Sequence, residues 1–402
     1  MNAAALDGLK VVELAEGVAG PYCGRLLAAF GAQVVKVERP PSGDWTRGAG
    51  PLLPDVPEPE SSALFLYLNT GKKSVTLDWR SKDNRSTLDN LLESADVLVD
   101  SSPPGTLDGL GLGSDQLHEK YPGLIVVSIT DFGNSGPYRD WKSTPLVNLA
   151  LGGYLYLSGD ENREPLMLPG YQADYLAGLH GYLGTTMALW SRDDTGEGQR
   201  VEVAVIESLA ALHQFTTVMH TYGGVVRSRH GNRFEEKAGY SPYPITMLPC
   251  KDGYVSFAVS IEHQWENMCR LIGRQDLLGD PRFDTSPERR QRADEIDEIL
   301  IDWMKDKTKA DIFREAAGVW SVPVAPVSDL NEVLNDSQYR ARGFWATLDH
   351  PIAGELTYPT LPFKMTETQP TFHRAPTLGE HNSEYLVSGT ENPPTTAQHP
   401  EA

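Results

Sequence analysis

Between residues 9 and 130, short runs rich in β-branched residues alternate with stretches of helical spacing, and this alternation leaves little choice of architecture. Val11-Val-Glu-Leu14, Val34-Val-Lys-Val37, Ser74-Val-Thr-Leu77, Val97-Leu-Val99 and Leu124-Ile-Val-Val-Ser128 read as strands, with Pro21 to Phe30 and Ser86 to Ser94 as helices between them. Strands joined through helices run parallel, and a parallel sheet needs helices over both faces. The expected fold class is therefore α/β, with a Rossmann-like large domain built on a parallel sheet. No Gly-x-Gly-x-x-Gly follows the first strand, so a dinucleotide cofactor is not expected. Gly109-Leu-Gly-Leu-Gly113 is a superficial match and reads better as a turn before a helix capped by Ser114 or Asp115.

Farther on, residues 201 to 220 read as a strand running into a long apolar helix, followed by a polar connector from Gly223 to Gly239. A second alternating region has Tyr254 to Val259 as a strand and helices at Trp265 to Ile272, Asp294 to Lys305 and Lys309 to Gly318. These patterns predict a large domain over 1–200, a linker helix over 201–224 and a smaller α+β domain over 225–323. The last residues, 389–402, are rich in Thr, Pro, Glu and His with little to bury, which predicts a disordered tail.

Charge narrows the function. A formal net charge of −20 opposes general affinity for nucleic acid or an anionic membrane, so an anionic ligand requires a local basic pocket. Cys23, Cys250 and Cys269 are too few and too scattered for a disulfide framework, which points to the reducing cytosol. The N-terminus lacks a secretory pattern, and no apolar stretch approaches the ~20 residues that span a bilayer. His213, His220 and His230 lack compact ligand spacing, so no metal site is expected.

One carboxylate stands out locally. In Leu166-Met-Leu-Pro-Gly-Tyr-Gln-Ala-Asp-Tyr-Leu-Ala-Gly178, Asp174 precedes a proline-free helical stretch, Tyr175 to Trp190, whose Ala177, Gly181 and Gly184 share a face open to close backbone approach. The plain reading is an N-cap. A carboxylate at that place is also held anionic and in one orientation, as suits a nucleophile with no proton to lose, and the two roles are compatible.

The wider series of motifs carries a resemblance. Leu6-Asp-Gly-Leu-Lys-Val-Val-Glu-Leu14, Val18-Ala-Gly-Pro21, Gly31-Ala-Gln-Val-Val-Lys-Val-Glu-Arg39, Pro41-Ser-Gly-Asp-Trp-Thr-Arg47 and Asn69-Thr-Gly-Lys-Lys-Ser-Val-Thr-Leu-Asp78 come in order. Phe132-Gly-Asn-Ser-Gly-Pro137, Gly196-Glu-Gly-Gln-Arg-Val-Glu-Val203, Val322-Pro-Val-Ala-Pro-Val327, Ala341-Arg-Gly-Phe344 and Leu378-Gly-Glu-His381 follow. From about residue 6 to 386 the chain resembles the family III CoA-transferases, a group that includes the alpha-methylacyl-CoA racemases. The resemblance implies a cytoplasmic homodimer of interlocked rings, a return to the large domain over 324–388, and acyl-CoA and carboxylic acids as substrates. Coenzyme A is then a co-substrate, with no permanently bound cofactor. It also implies that Asp174 attacks the thioester, that Val18 and Ala19 line the CoA entry, that Arg39 approaches the nucleotide end, and that Leu77 to Arg80 make further contacts.

Several positions depart from the family pattern. Ser101-Ser-Pro-Pro-Gly105 replaces an Asn-Phe-Arg-Pro-Gly type turn, and Gly109 stands where a basic residue often lies. Ser143-Thr-Pro145 replaces the Gly-His-Asp element of the racemases, leaving Glu262, at the racemase glutamate position, without a proton-transfer partner. Gly239-Tyr-Ser-Pro-Tyr-Pro244 replaces the glycine run of formyl-CoA transferases, which implies a substrate other than formate or oxalate. Lys72 and Lys73 read equally well as surface residues. A racemase or epimerase, and a catalytically weak CoA-ester-binding homologue, are the alternatives.

Overall fold

The computed structural model describes residues 4–233 and 242–386. The chain divides into two compact units: 1–148, 169–210 and 343–402 form the larger, and 149–168 with 211–342 the smaller. The tail from residue 389, and Gly239 to Ser241 of the Tyr-Pro-rich stretch, lie outside the described residues.

The larger unit is built on β1 (Lys10–Glu13), α1 (Ala19–Ala29), β2 (Gln33–Glu38), β3 (Lys73–Thr76), α2 (Arg85–Glu93), β4 (Val97–Asp100), α3 (Ser114–Lys120), β5 (Ile125–Thr130), α4 (Gln172–Thr195) and β6 (Arg200–Ala204). The strands form one sheet in the order β3-β2-β1-β4-β5-β6 with every neighbouring pair parallel. β4 and β5 are buried along their whole lengths, which is why they read as continuous apolar runs. On one face Val12, Val35, Val75 and Leu98 pack with Leu88, Leu91 and Leu92 of α2. Gly113, not Ser114 or Asp115, holds the N-cap position of α3, and no side chain caps it.

The small-residue face of α4 is used fully. A Cβ added at Gly178 would lie 2.4 Å from the Ala19 carbonyl oxygen of α1, one at Gly181 2.7 Å from Ile129 Cδ1, and one at Gly184 2.5 Å from Val201 Cγ1. Gly178 meets backbone, which cannot swing aside. Gly178→Ala is therefore expected to destabilise the fold by about 1–3 kcal/mol, seen as a lower urea midpoint; an unchanged midpoint would show that α1 and α4 part without cost.

Beneath the C-terminal end of β1 lies a network of buried charge. Lys72 Nζ donates to both oxygens of Glu13 at 3.0 and 2.8 Å, to Asn69 Oδ1 and to the Pro21 carbonyl. Lys36 Nζ lies 3.1 Å from Glu13 and 2.7 Å from Asp44, and donates to the Ala15 carbonyl. Arg47 grips Glu38 with two nitrogens and Glu60 with a third. Lys72 is therefore not a surface residue: its four acceptors lie in the interior and burial pulls its pKa down to about 8. Lys73, half-exposed, pairs with Glu384.

After residue 342 the chain returns to the larger unit as the hairpin β10 (Trp345–His350) and β11 (Gly354–Pro359). The segment ending in His381 then covers the open edge of β3: the His381 amide donates to the Ser74 carbonyl, and Asn382 both accepts from the Thr76 amide and donates to its hydroxyl. A paired edge offers no template for another strand.

In the smaller unit, β7 (Ile245–Cys250), β8 (Gly253–Ala258) and β9 (Val324–Pro326) form an antiparallel sheet in the order β7-β8-β9. Helices α7 (Glu262–Leu271), α8 (Ala293–Met304) and α9 (Lys309–Ala316) complete its core with Trp265, Met268, Leu300 and Ile312. The return expected at residue 324 thus begins at Gly343: Val324-Ala-Pro326 is an edge strand paired with β8, a place where proline is tolerated. The long apolar helix expected up to residue 220 is two helices, α5 (Val205–Ala211) and α6 (Gln214–Gly223). At the break, the His213 ring packs at a tilt against Tyr154, and its Nε2 lies 2.6 Å from the Gly152 carbonyl oxygen.

Candidate active site

In this strand order the chain moves outward from β1 to β2 and β3, then returns to the other side of β1 for β4. The loops leaving β1 and β4 consequently diverge and leave a crevice at the carboxyl ends of the strands. A cavity of about 500 Å³ occupies it, within the size range of small-molecule sites. Its wall is made by Glu16–Gly20 after β1, Ser101–Pro104 after β4, Ile129–Phe132 at the end of β5, the Arg139–Ser143 stretch, Trp45 and Asp174.

The loop after β1 is held from below by the buried charges. Asp44 accepts from the Gly17 amide at 3.2 Å, and Ser101 Oγ accepts from the Glu16 amide at 3.0 Å. Trp45 stands over Gly17, where an added Cβ would be 3.1 Å from Nε1. Ala19 and Gly20 lie in the first turn of α1, where amides lack an intrahelical acceptor, and neither amide has a backbone acceptor among the described residues, which leaves them for an anionic ligand atom.

Asp174 is the third residue of α4, not its N-cap; Tyr171 takes that position and its side chain makes no capping bond. The Asp174 Oδ2 atom is buried and has no hydrogen-bond partner among the described residues. Burial, and then the charge of Asp131, raise the Asp174 pKa to about 6, outweighing the bond from its own amide. The helix end therefore does not hold this carboxylate strongly acidic. Such a carboxylate is still ionised at neutral pH and is a stronger base than an exposed one.

Of the residues expected at the site, Asp174, Val18 and Ala19 share the cavity wall. Arg39 follows β2 and pairs with Glu16 at 2.9 Å, which puts it at the edge of the cavity through a lining residue. The Leu77 side chain is not in the cavity: it is 7% exposed and packs in the sheet core. Arg80 is exposed, 4.9 Å over the Trp79 ring, and is absent from the cavity wall. Glu262, in the smaller unit, is gripped by the buried Arg289 through 2.7 and 3.1 Å bonds.

Sequence reasoning missed Asp131, Arg139, Trp141 and Lys142. Asp131 directly follows the wholly buried β5, and it accepts from Asn148 Nδ2 at 2.8 Å while Asn148 Oδ1 takes the Ser143 hydroxyl. An acid at the C-terminal end of a central parallel strand is the signal that marked it.

The profile of CoA-transferase family III matches residues 6–382. The chain belongs to that family. This family III chain is 34% identical over 405 residues to the formyl-CoA:oxalate CoA-transferase of Rhodopseudomonas palustris, covering 95% of this chain and 92% of the relative. It is 32% identical over 387 residues to the succinyl-CoA–L-malate CoA-transferase beta subunit of Chloroflexus aurantiacus, covering 95% and 93%. A CAIB/BAIF family protein from Brucella suis has the same fold, with a TM-score of 0.86 and 32% identity over 96% of this chain and 98% of that one. The family III protein is thus a CoA-transferase, an enzyme of CoA thioesters and carboxylates on an α/β fold.

Proposed function

We propose that the enzyme moves CoA between carboxylic acids through covalent intermediates on Asp174. The observation that carries this reading is the buried, unpartnered Asp174 oxygen in the wall of the switch-point cavity. The carboxylate attacks the thioester carbonyl, the C–S bond breaks, and an acyl-aspartyl anhydride and CoA thiolate result. The thiolate then attacks the aspartyl carbonyl, releasing the donor acid and leaving an aspartyl-CoA thioester. An acceptor carboxylate reverses the two steps. The free amides of α1 supply hydrogen bonds to the oxyanion that forms at each attack.

Water has to be kept from both intermediates. A second subunit is the natural cover, and a cytoplasmic homodimer of interlocked chains is the working form we infer. The exposed Leu179, Leu183, Met187 and Trp190 along one side of α4 support it, because such a stripe is rarely left to solvent.

Burial of Asp174, and then the charge of Asp131, set the pH range. Asp174 attacks only when ionised, so kcat/KM falls as pH drops through about 6. Asp131→Asn removes one of the two effects raising that pKa, and the acid limb is expected to move to lower pH while burial keeps it above the free aspartate value. An unmoved limb would separate Asp131 from Asp174.

A panel of acyl-CoA esters with isotopically labelled free acids, followed by mass spectrometry, tests the activity itself. CoA should appear on the labelled acid with little net hydrolysis. Washout of α-deuterium from a 2-methylacyl-CoA with no exchange of CoA would instead establish a racemase.

A further inference from the structure

The cavity wall carries four carboxylates, Glu16, Asp131, Asp140 and Asp174. Two of them are paired in place: Glu16 with Arg39 at 2.9 Å and Asp140 with Arg139 at 3.2 Å. Asp131 and Asp174 have no cation partner among the described residues. Because Asp174 is the reacting group, Asp131 is a surplus negative charge in the cavity where the acyl group is handled.

That charge is held in one place. Asp131 directly follows the wholly buried β5, and the Ile206 amide donates to its carbonyl oxygen at 3.2 Å. Its Oδ1 accepts from Asn148 Nδ2 at 2.8 Å, and the buried Asn148 is itself oriented by the Ser143 hydroxyl, which donates to its Oδ1. An uncharged donor orients the carboxylate without cancelling it. The field of Asp131 reaches the nucleophile: its charge acts on Asp174 to raise the pKa, and neither Arg139 nor Lys142 of the same wall offsets it. An acyl group attached to Asp174 sits in that field. Against a protein wall of low dielectric like charges are poorly screened, so a second carboxylate on the acyl group is opposed, whereas an uncharged polar group of the same shape is not.

We propose that Asp131 is a specificity-determining residue, directing the enzyme to carboxylic acids whose acyl part carries no second carboxylate and away from dicarboxylic acids. The proposal rests on Asp174 as the acyl-accepting group. Discrimination of this kind comes from a repulsive element aimed at the wrong substrate, and it selects by charge and not by size.

Succinate and its monoamide, succinamate, differ in that charge and almost nothing else, so they serve as paired acceptors with one acyl-CoA donor at a pH above the acid limb. The parent should use succinamate with a kcat/KM about ten- to hundredfold above that for succinate, mostly through KM. Asp131→Asn keeps an oxygen for the Asn148 bond and removes the charge, so the preference should largely disappear, by a gain on succinate and not by a loss on succinamate. Calorimetry on Asp174→Asn with succinyl-CoA and succinamyl-CoA reads the same preference without turnover, and adding Asp131→Asn should abolish it. Equal use of the two acids by the parent, a preference for succinate, or a preference for succinamate that survives Asp131→Asn would overturn the proposal. If the preference appears in binding and vanishes with Asp131→Asn, but the parent transfers CoA to no acid offered, the selectivity stands and the transfer reading fails.

Discussion

Asp174→Asn and Asp174→Ala are each expected to lose CoA transfer by roughly 10⁴-fold or more while still binding CoA esters. An amide or a methyl group cannot form the anhydride. Stability should change in the opposite direction. Because the Asp174 pKa is raised in the folded state, the native protein holds a proton that the unfolded chain has released between about pH 4 and pH 6, and stability falls across that window. Asparagine removes the buried charge, so the variant should exceed the parent by about 1–3 kcal/mol at pH 7.5 and lose that advantage near pH 4. Urea unfolding at the two pH values checks it. Asp174 is not the N-cap, so no capping penalty is expected in either variant.

Glu13→Gln should be among the most damaging changes away from the cavity. It removes the only carboxylate bonded to Lys72 among the described residues and one of the two that Lys36 contacts there, leaving a buried ammonium whose remaining acceptors are neutral. Breaking such a cluster costs about 3–5 kcal/mol, and the loss should recover in part when Lys72→Met is added. The double variant matters because it separates an unpaired charge from a packing defect. If urea midpoints of Glu13→Gln lie within experimental error of the parent, the network contributes nothing to the fold. Since Asp44 and Lys36 also hold Gly17 and Ala15, surviving protein should show raised KM as well.

The sheet was legible because β4 and β5 are buried throughout and leave apolar runs in the chain. The ion network was not. Lys36 and Glu38 alternate with valines in β2 like the outer face of a half-exposed strand, yet both are buried, Lys36 meeting Glu13 of β1 and Glu38 meeting Arg47 beyond the end of its own strand. Asp174 was legible through the motif order around it, but its environment depends on Asp131, which a loop brings in from another strand. Leu77 fell beside the correct loop with its side chain turned inward, a distinction that strand register decides and local composition does not. Arg139 looks like an ordinary surface charge until the turn after β4 lies beside it.

The covalent role of Asp174 is tested most directly by trapping. The parent enzyme is mixed with an acyl-CoA it binds, treated with hydroxylamine, digested and mapped by mass spectrometry. A hydroxamate on Asp174, absent when CoA ester is omitted and absent in Asp174→Asn, is the expected result. CoA exchange proceeding at full rate with Asp174 unmodified at every time point would contradict the mechanism.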